Sequence, residues 1–285
     1  MLRATFFIVW LCTIASSCLS ADLITLGDEM MYDLRIVGEI QVGDFDRIAA
    51  HVIDESGACC ALVLDSPGGD VLEAIKIGEL IRDNLMNTDV DMFRQCNSAC
   101  FLIWAAGVIR SASGANSFGM HRPIYDRAYF STLSAEEAEK EYRKLDALVR
   151  SYLFRMNVPV ELVDEMFRTS FDSPVNYSGD EMVSRVGKTA PAFEEWLEAK
   201  CGSLLSPDER ADWEQLQVAK KCSGKIGEYT SIISPELHRE ICGRLKEYSV
   251  GYVTYVESRA RAYSSCAAES ILDARLTYIR RLQNR

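Results

Sequence analysis

The sequence predicts an α/β fold: a mostly parallel sheet with helical crossovers, followed by a small all-α region that contains cysteines. Three observations predict it. Short apolar runs alternate with amphipathic segments from Asp22 to about Lys188, strand-like runs vanish after Pro191, and four of the ten cysteines lie in that tail. The rest of the composition is ordinary for a globular chain, with 48% hydrophobic and 26% charged residues.

The elements follow in order. Ala61-Leu-Val-Leu64 is an apolar run of buried-strand length, and Val71 to Asn84 is an amphipathic helix with Val71, Leu72, Ile75 and Gly78 on one side. Val90 to Arg94 reads as a second short strand, Ala99 to Ala106 as a buried helix and Ser117 to Met120 as a third strand. Ser134-Ala-Glu-Glu137 has the spacing of a capping box and opens a long charged helix to about Met156. Beyond Pro191, Ser206-Pro-Asp-Glu209 and Ser234-Pro-Glu236 each combine an N-cap, a first-turn proline and acids suited to a helix dipole.

The N-terminus sets the compartment. Arg3, the apolar run Ala4 to Ala15 and the small residues up to Ala21 form the three regions of a secretory signal, with cleavage expected after Ser20 or Ala21. The apolar core is about 12 residues against the roughly 20 that span a bilayer, so a retained anchor is the lesser alternative; lipid modification at Cys18 is another. The organisation expected is therefore a signal peptide at 1–21, an α/β domain at 22–190 and a helical region at 191–285. The product is expected to be periplasmic or secreted, without a stable membrane span. A formal charge of −11 excludes the basic face that gathers phosphates, so neither nucleic acid nor an anionic membrane surface is an expected partner.

Signal removal leaves an even number of cysteines, which suggests disulfides. Cys201, Cys222, Cys242 and Cys266 are 21, 20 and 24 positions apart, a spacing that suits staples between neighbouring helices better than a zinc site. Their connectivity is open, and no metal or cofactor is called for. This helical region is expected to be dispensable for the fold of the first domain.

Three strings carry the chemistry. In Leu64-Asp-Ser-Pro-Gly-Gly-Asp70, between a strand and a helix, Gly68 and Gly69 let the backbone approach a ligand with outward N–H groups; an ordinary turn is the alternative. In Gln95-Cys-Asn-Ser-Ala-Cys100, Ser98 opens the most buried helix, where it either caps that helix or serves as a nucleophile beside the Ala99 N–H. In Phe118-Gly-Met-His-Arg-Pro123, His121 ends a strand and is a natural base for a serine. His51 and His238 have structural readings. Cys96 and Cys100 are spaced to bridge across the mouth of the Ser98 helix, with packing in the core, or pairing with Cys59 or Cys60, as alternatives.

In order, type and gap these strings resemble the proteolytic subunit of the Clp protease and its ClpP/crotonase superfamily relatives, from about Glu39 to Lys188. The Cys-Asn-Ser-Ala-Cys segment is similar to exported bacterial Clp-like proteins that lack an ATPase partner. The resemblance implies a serine peptidase: Ser98 as nucleophile, His121 as general base, and an oxyanion hole from the N–H groups of Gly68 or Gly69 and of Ala99. It also implies an acid before Tyr177-Ser178. Asp172 is the only acid between Ser170 and Pro174, whereas Asp180 and Glu181 suit the next helix start. A homo-oligomer is implied as well. The segment after Pro123 lacks the glycines with which the family lines its peptide groove. The competing readings are a catalytically impaired binding or assembly module using the helical region, an acyl-CoA enzyme, and a Ser–Lys hydrolase. The acyl-CoA reading is disfavoured by compartment, and the Ser–Lys reading because no lysine lies between Lys76 and Lys140.

Overall fold

The computed structural model describes residues 21–27, 32–54, 59–115, 117–125, 127–202, 215 and 250–283. Residues 1–20, where the signal peptide is expected, lie outside them, as do Cys222, His238, Cys242 and the two helix starts expected at Ser206 and Ser234. Five strands, β1 (Asp22–Gly27), β2 (Tyr32–Val37), β3 (Cys59–Asp65), β4 (Asn87–Val90) and β5 (Arg110–Ala112), form one sheet in sequence order. Only the β1–β2 pair is antiparallel; β2 to β5 run parallel, joined by the crossovers α1 (Asp44–Asp54), α2 (Val71–Asp83) and α3 (Ala99–Ala106). The fold is α/β with a mostly parallel sheet, as the alternation predicts. The Ala61 to Leu64 run lies between two parallel neighbours with Leu62 and Leu64 fully buried, which is why it is continuously apolar.

Two elements differ from the sequence reading. Strand β4 ends at Val90, and Asp91 to Arg94 is a turn closed by the Arg94 N–H on the Asp91 carbonyl. The run ending at Met120 does not join the main sheet. As β6 (Phe118–Met120) it pairs antiparallel with β7 (Val175–Tyr177), because the chain returns from three further helices to meet it. Strand β5 goes unread in the sequence because it carries Arg110 and Ser111 in place of an apolar run.

After a short helix α4 (Arg127–Phe130), α5 (Ala135–Arg155) begins with the predicted capping box: Ser134 Oγ accepts from the Glu137 N–H, and Glu137 accepts from the Ser134 N–H. Helices α6 (Val160–Arg168) and α7 (Gly179–Val186) flank β7. The core is anchored on α3, whose eight residues are all buried, with Trp104 edge-on to Phe118 at 4.9 Å and donating to the Ser111 carbonyl. Tyr152 of α5 is fully buried and donates to the Leu102 carbonyl at 2.8 Å, and its hydroxyl occupies the space above Gly78. Arg110 is also fully buried and donates to the carbonyls of Ala105 and Met156; burial pushes its pKa down to about 10.

The tail contributes α8 (Pro191–Cys201) and α9 (Val250–Gln283). They pack on one another and on the α/β body: Phe193 and Leu197 meet Val108 and Ala190, with Tyr263, Ala267 and Ile271 against them. A disulfide joins Cys201 to Cys266, a sequence separation of 65, and so links α8 to α9; it is one of the pairings that the spacing leaves open. Arg275 is buried and donates to the carbonyls of Asn84 and Leu85 at the end of α2. Among the described residues no helix is long and apolar enough to cross a membrane, and no group of His, Cys, Asp and Glu is placed to hold a metal ion.

Candidate active site

The first string forms a turn at the carboxyl end of β3. Gly68 and Gly69 have φ of +106° and +142°, outside the range comfortable for other residues, and both are crowded. A β-carbon on Gly69 would meet the Ile40 carbonyl, while one on Gly68 would meet Ser98. Ile40 clamps the turn from outside, its N–H donating to the Gly68 carbonyl and its carbonyl accepting from the Asp70 N–H, each at 2.8 Å. The Gly68 N–H donates to Ser66 Oγ at 3.1 Å. It is therefore committed, and of the two glycine amides only that of Gly69 makes no hydrogen bond among the described residues. Asp70 caps α2 by accepting from the Glu73 N–H at 2.7 Å. Burial pushes the Glu73 carboxyl up, but the Phe45 amide, the Lys76 ammonium and the Gly43 amide outweigh it, leaving the group below the ordinary carboxylate range.

The second string bears Ser98, with φ 52° and ψ −121°, a region sparsely populated by non-glycine residues. Its neighbours hold it there. The Ser98 N–H donates to the Gly119 carbonyl at 2.8 Å, Asn97 N–H to the Ser66 carbonyl at 3.0 Å, and Cys96 N–H to the Ser117 carbonyl at 2.7 Å. A disulfide joins Cys96 and Cys100 across the turn, with Cα atoms 5.0 Å apart. Ser98 stands at the N-cap position of α3, yet its hydroxyl makes no capping hydrogen bond. The Ala99 N–H, at the positive end of α3 and against Gly68, likewise makes no hydrogen bond among the described residues.

The third string follows β6. Its Gly119 is gripped from both sides: its N–H donates to Asn97 Oδ1 while its carbonyl accepts from Ser98. His121, two residues on, is half-buried at the strand end. Its Nδ1 lies 2.9 Å from the Arg122 carbonyl, and the Phe171 ring stands edge-on to it with centroids 4.8 Å apart. The structure thus brings Gly68, Ser98 and the β6 end together, but no hydrogen bond joins Ser98 to His121. Asp172 is exposed on the loop after α6; its N–H donates to Ser170 Oγ at 3.4 Å, and no hydrogen bond links its carboxylate to His121. His51 lies on α1 within 3.3 Å of the Thr25 hydroxyl, remote in role from these strings.

Three contributors escape the sequence reading. Ser66 occupies the Gly68 amide, Asn97 extends the β6 ladder through its side chain, and Phe171 flanks the imidazole. Ser66 and Asn97 sit inside the motifs, where adjacency to Gly68 and Ser98 is a usable signal. Phe171 is 50 positions from His121 and gives none. Asp65 also ties the first two strings together, accepting from the Gln95 N–H at 3.4 Å and pairing with the adjacent Arg94 at 2.7 Å.

No family model and no curated protein matches this chain. Among solved structures it is similar to a mutant of the 1510-N membrane-bound stomatin-specific protease, at 18% identity and a TM-score of 0.40, over 59% of this chain and 83% of that one.

Proposed function

We propose that this chain is an exported serine hydrolase acting on peptide or protein substrates, with Ser98 as nucleophile and His121 as general base. One observation carries the reading: Ser98 is held at a strained backbone angle at the start of a buried helix, with its hydroxyl free of the capping bond usual there. Strain of this kind is sustained at strand-to-helix turns that present a nucleophile. In the proposed reaction Ser98 Oγ attacks the substrate carbonyl as its proton passes to His121. The developing oxyanion is received by the N–H groups of Gly69 and Ala99. His121 then returns the proton to the leaving amine, and water resolves the acyl-enzyme by the same steps. The resemblance to Clp proteolytic subunits supports the peptide substrate, and two disulfides fit an oxidising compartment.

The test is a fluorophosphonate probe. Labelling is expected at Ser98, lost in Ser98→Ala and reduced in His121→Ala; absence of labelling from neutral to alkaline pH overturns the assignment. A binding or assembly module is the second reading, favoured by the missing hydrogen bond between Ser98 and His121 and by the exposed Asp172. It expects a Ser98→Ala strain to function normally.

A further inference from the structure

We infer that His121 is oriented for catalysis by the backbone carbonyl of Arg122 and the ring of Phe171, with no carboxylate as third member; this rests on the hydrolase reading. A carbonyl oxygen only accepts, so the 2.9 Å contact from His121 Nδ1 requires the hydrogen on that nitrogen. The neutral ring is then the Nδ1–H tautomer, and Nε2 is the bare nitrogen able to take the serine proton. Free histidine in water favours the opposite tautomer, so this contact performs the selection that an aspartate performs in a triad. The carbonyl itself is fixed. Arg122 precedes the buried Pro123, which restricts its backbone to extended conformations, and its N–H is tied to the Thr169 carbonyl at 3.0 Å. The edge of Phe171, perpendicular to the imidazole at 88°, blocks the ring flip that would exchange the two nitrogens.

The proton inventory closes without an acid. Nε2 takes the Ser98 hydroxyl proton, Nδ1 keeps its own against the Arg122 carbonyl, and the Nε2 proton leaves with the departing amine. Phe171 and the Arg122 carbonyl are positioning groups, since neither touches substrate in this scheme.

The test uses the full chain with ring-¹⁵N histidine, its His121 signals assigned by their loss in His121→Gln. In the neutral form, long-range ¹H–¹⁵N spectra are expected to show Nδ1 protonated and Nε2 bare; the Nε2–H tautomer, or averaging of the two, overturns the inference. In parallel, Asp172→Asn is expected to keep the fluorophosphonate labelling rate within about twofold. A loss of about 100-fold or more, toward the roughly 10⁴-fold cost of replacing a triad acid, overturns it. Phe171→Ala is expected to let the tautomers average, with Phe171→Tyr restoring a single form. If the wild-type protein does not label, the hydrolase reading fails and the tautomer measurement alone decides the orientation.

Discussion

Gly68 lies directly against Ser98: a β-carbon on the glycine would stand 2.8 Å from Ser98 Cβ and 2.8 Å from the Asn97 carbonyl oxygen. The turn and the serine are therefore one unit, and a methyl in place of one Gly68 α-hydrogen would press on the proposed nucleophile. Gly68→Ala is expected to lower the probe-labelling rate of Ser98 at least about tenfold. The positive φ adds roughly 1–3 kcal/mol of strain to the folded state. Labelling kinetics and thermal melting of the same sample check this, and an unchanged rate would remove the coupling.

The Cys96–Cys100 bridge closes a very short loop, so its entropic contribution to global stability is only about 2 kcal/mol on the chain-entropy model. Its larger effect is local, because the backbone angle at Ser98 sits inside the loop. Mild reduction is expected to lower labelling of Ser98 before the domain unfolds, read by mass mapping and labelling at each reductant concentration. Two free thiols before reduction would dismiss the bridge, and full labelling after it would dismiss its functional role.

Arg275 binds the body to the tail through the Asn84 and Leu85 carbonyls, both at 2.9 Å. Arg275→Met strips buried acceptors of charged donors and is expected to cost about 2–4 kcal/mol in denaturant unfolding. The Cys201–Cys266 disulfide acts in the same direction: it restrains a long loop, worth about 4 kcal/mol on the chain-entropy model. A chain ending after α8 is expected to keep the α/β fold at reduced stability, as the buried Phe193 and Leu197 lose their cover. Equal stability of Arg275→Met and wild type would contradict the coupling.

Tyr177 links pH to the strand beside the site. Burial first, and then a hydrogen bond to Glu165, push its phenol up to about 12, so the folded state holds that proton more tightly than the unfolded chain. Its contribution is fully present below the ordinary phenol value, near 10, and is lost as pH rises through about 12. Tyr177→Phe is expected to flatten the decline of stability across that window, measured by urea unfolding at stepped pH. An unchanged decline would assign it to other groups.

The local elements of this protein and its candidate chemistry are legible from the chain alone. The apolar run at 61–64, the capping box at Ser134 and the all-apolar stretch 99–106 need only burial, backbone hydrogen bonding and helix-end chemistry to be read. The glycine turn and the serine at a helix start were legible for the same reason. What depends on chain return came from the packed fold. It paired β6 with β7, set Phe171 against His121 across 50 positions, and left Asp172 outward. It also assigned the Gly68 amide to Ser66, leaving that of Gly69 open. Spacing along the chain constrains neighbours within a turn or a helix. Which loop end meets a given imidazole is settled by the packing of α5 and α6 on the buried α3, and no single segment encodes that packing.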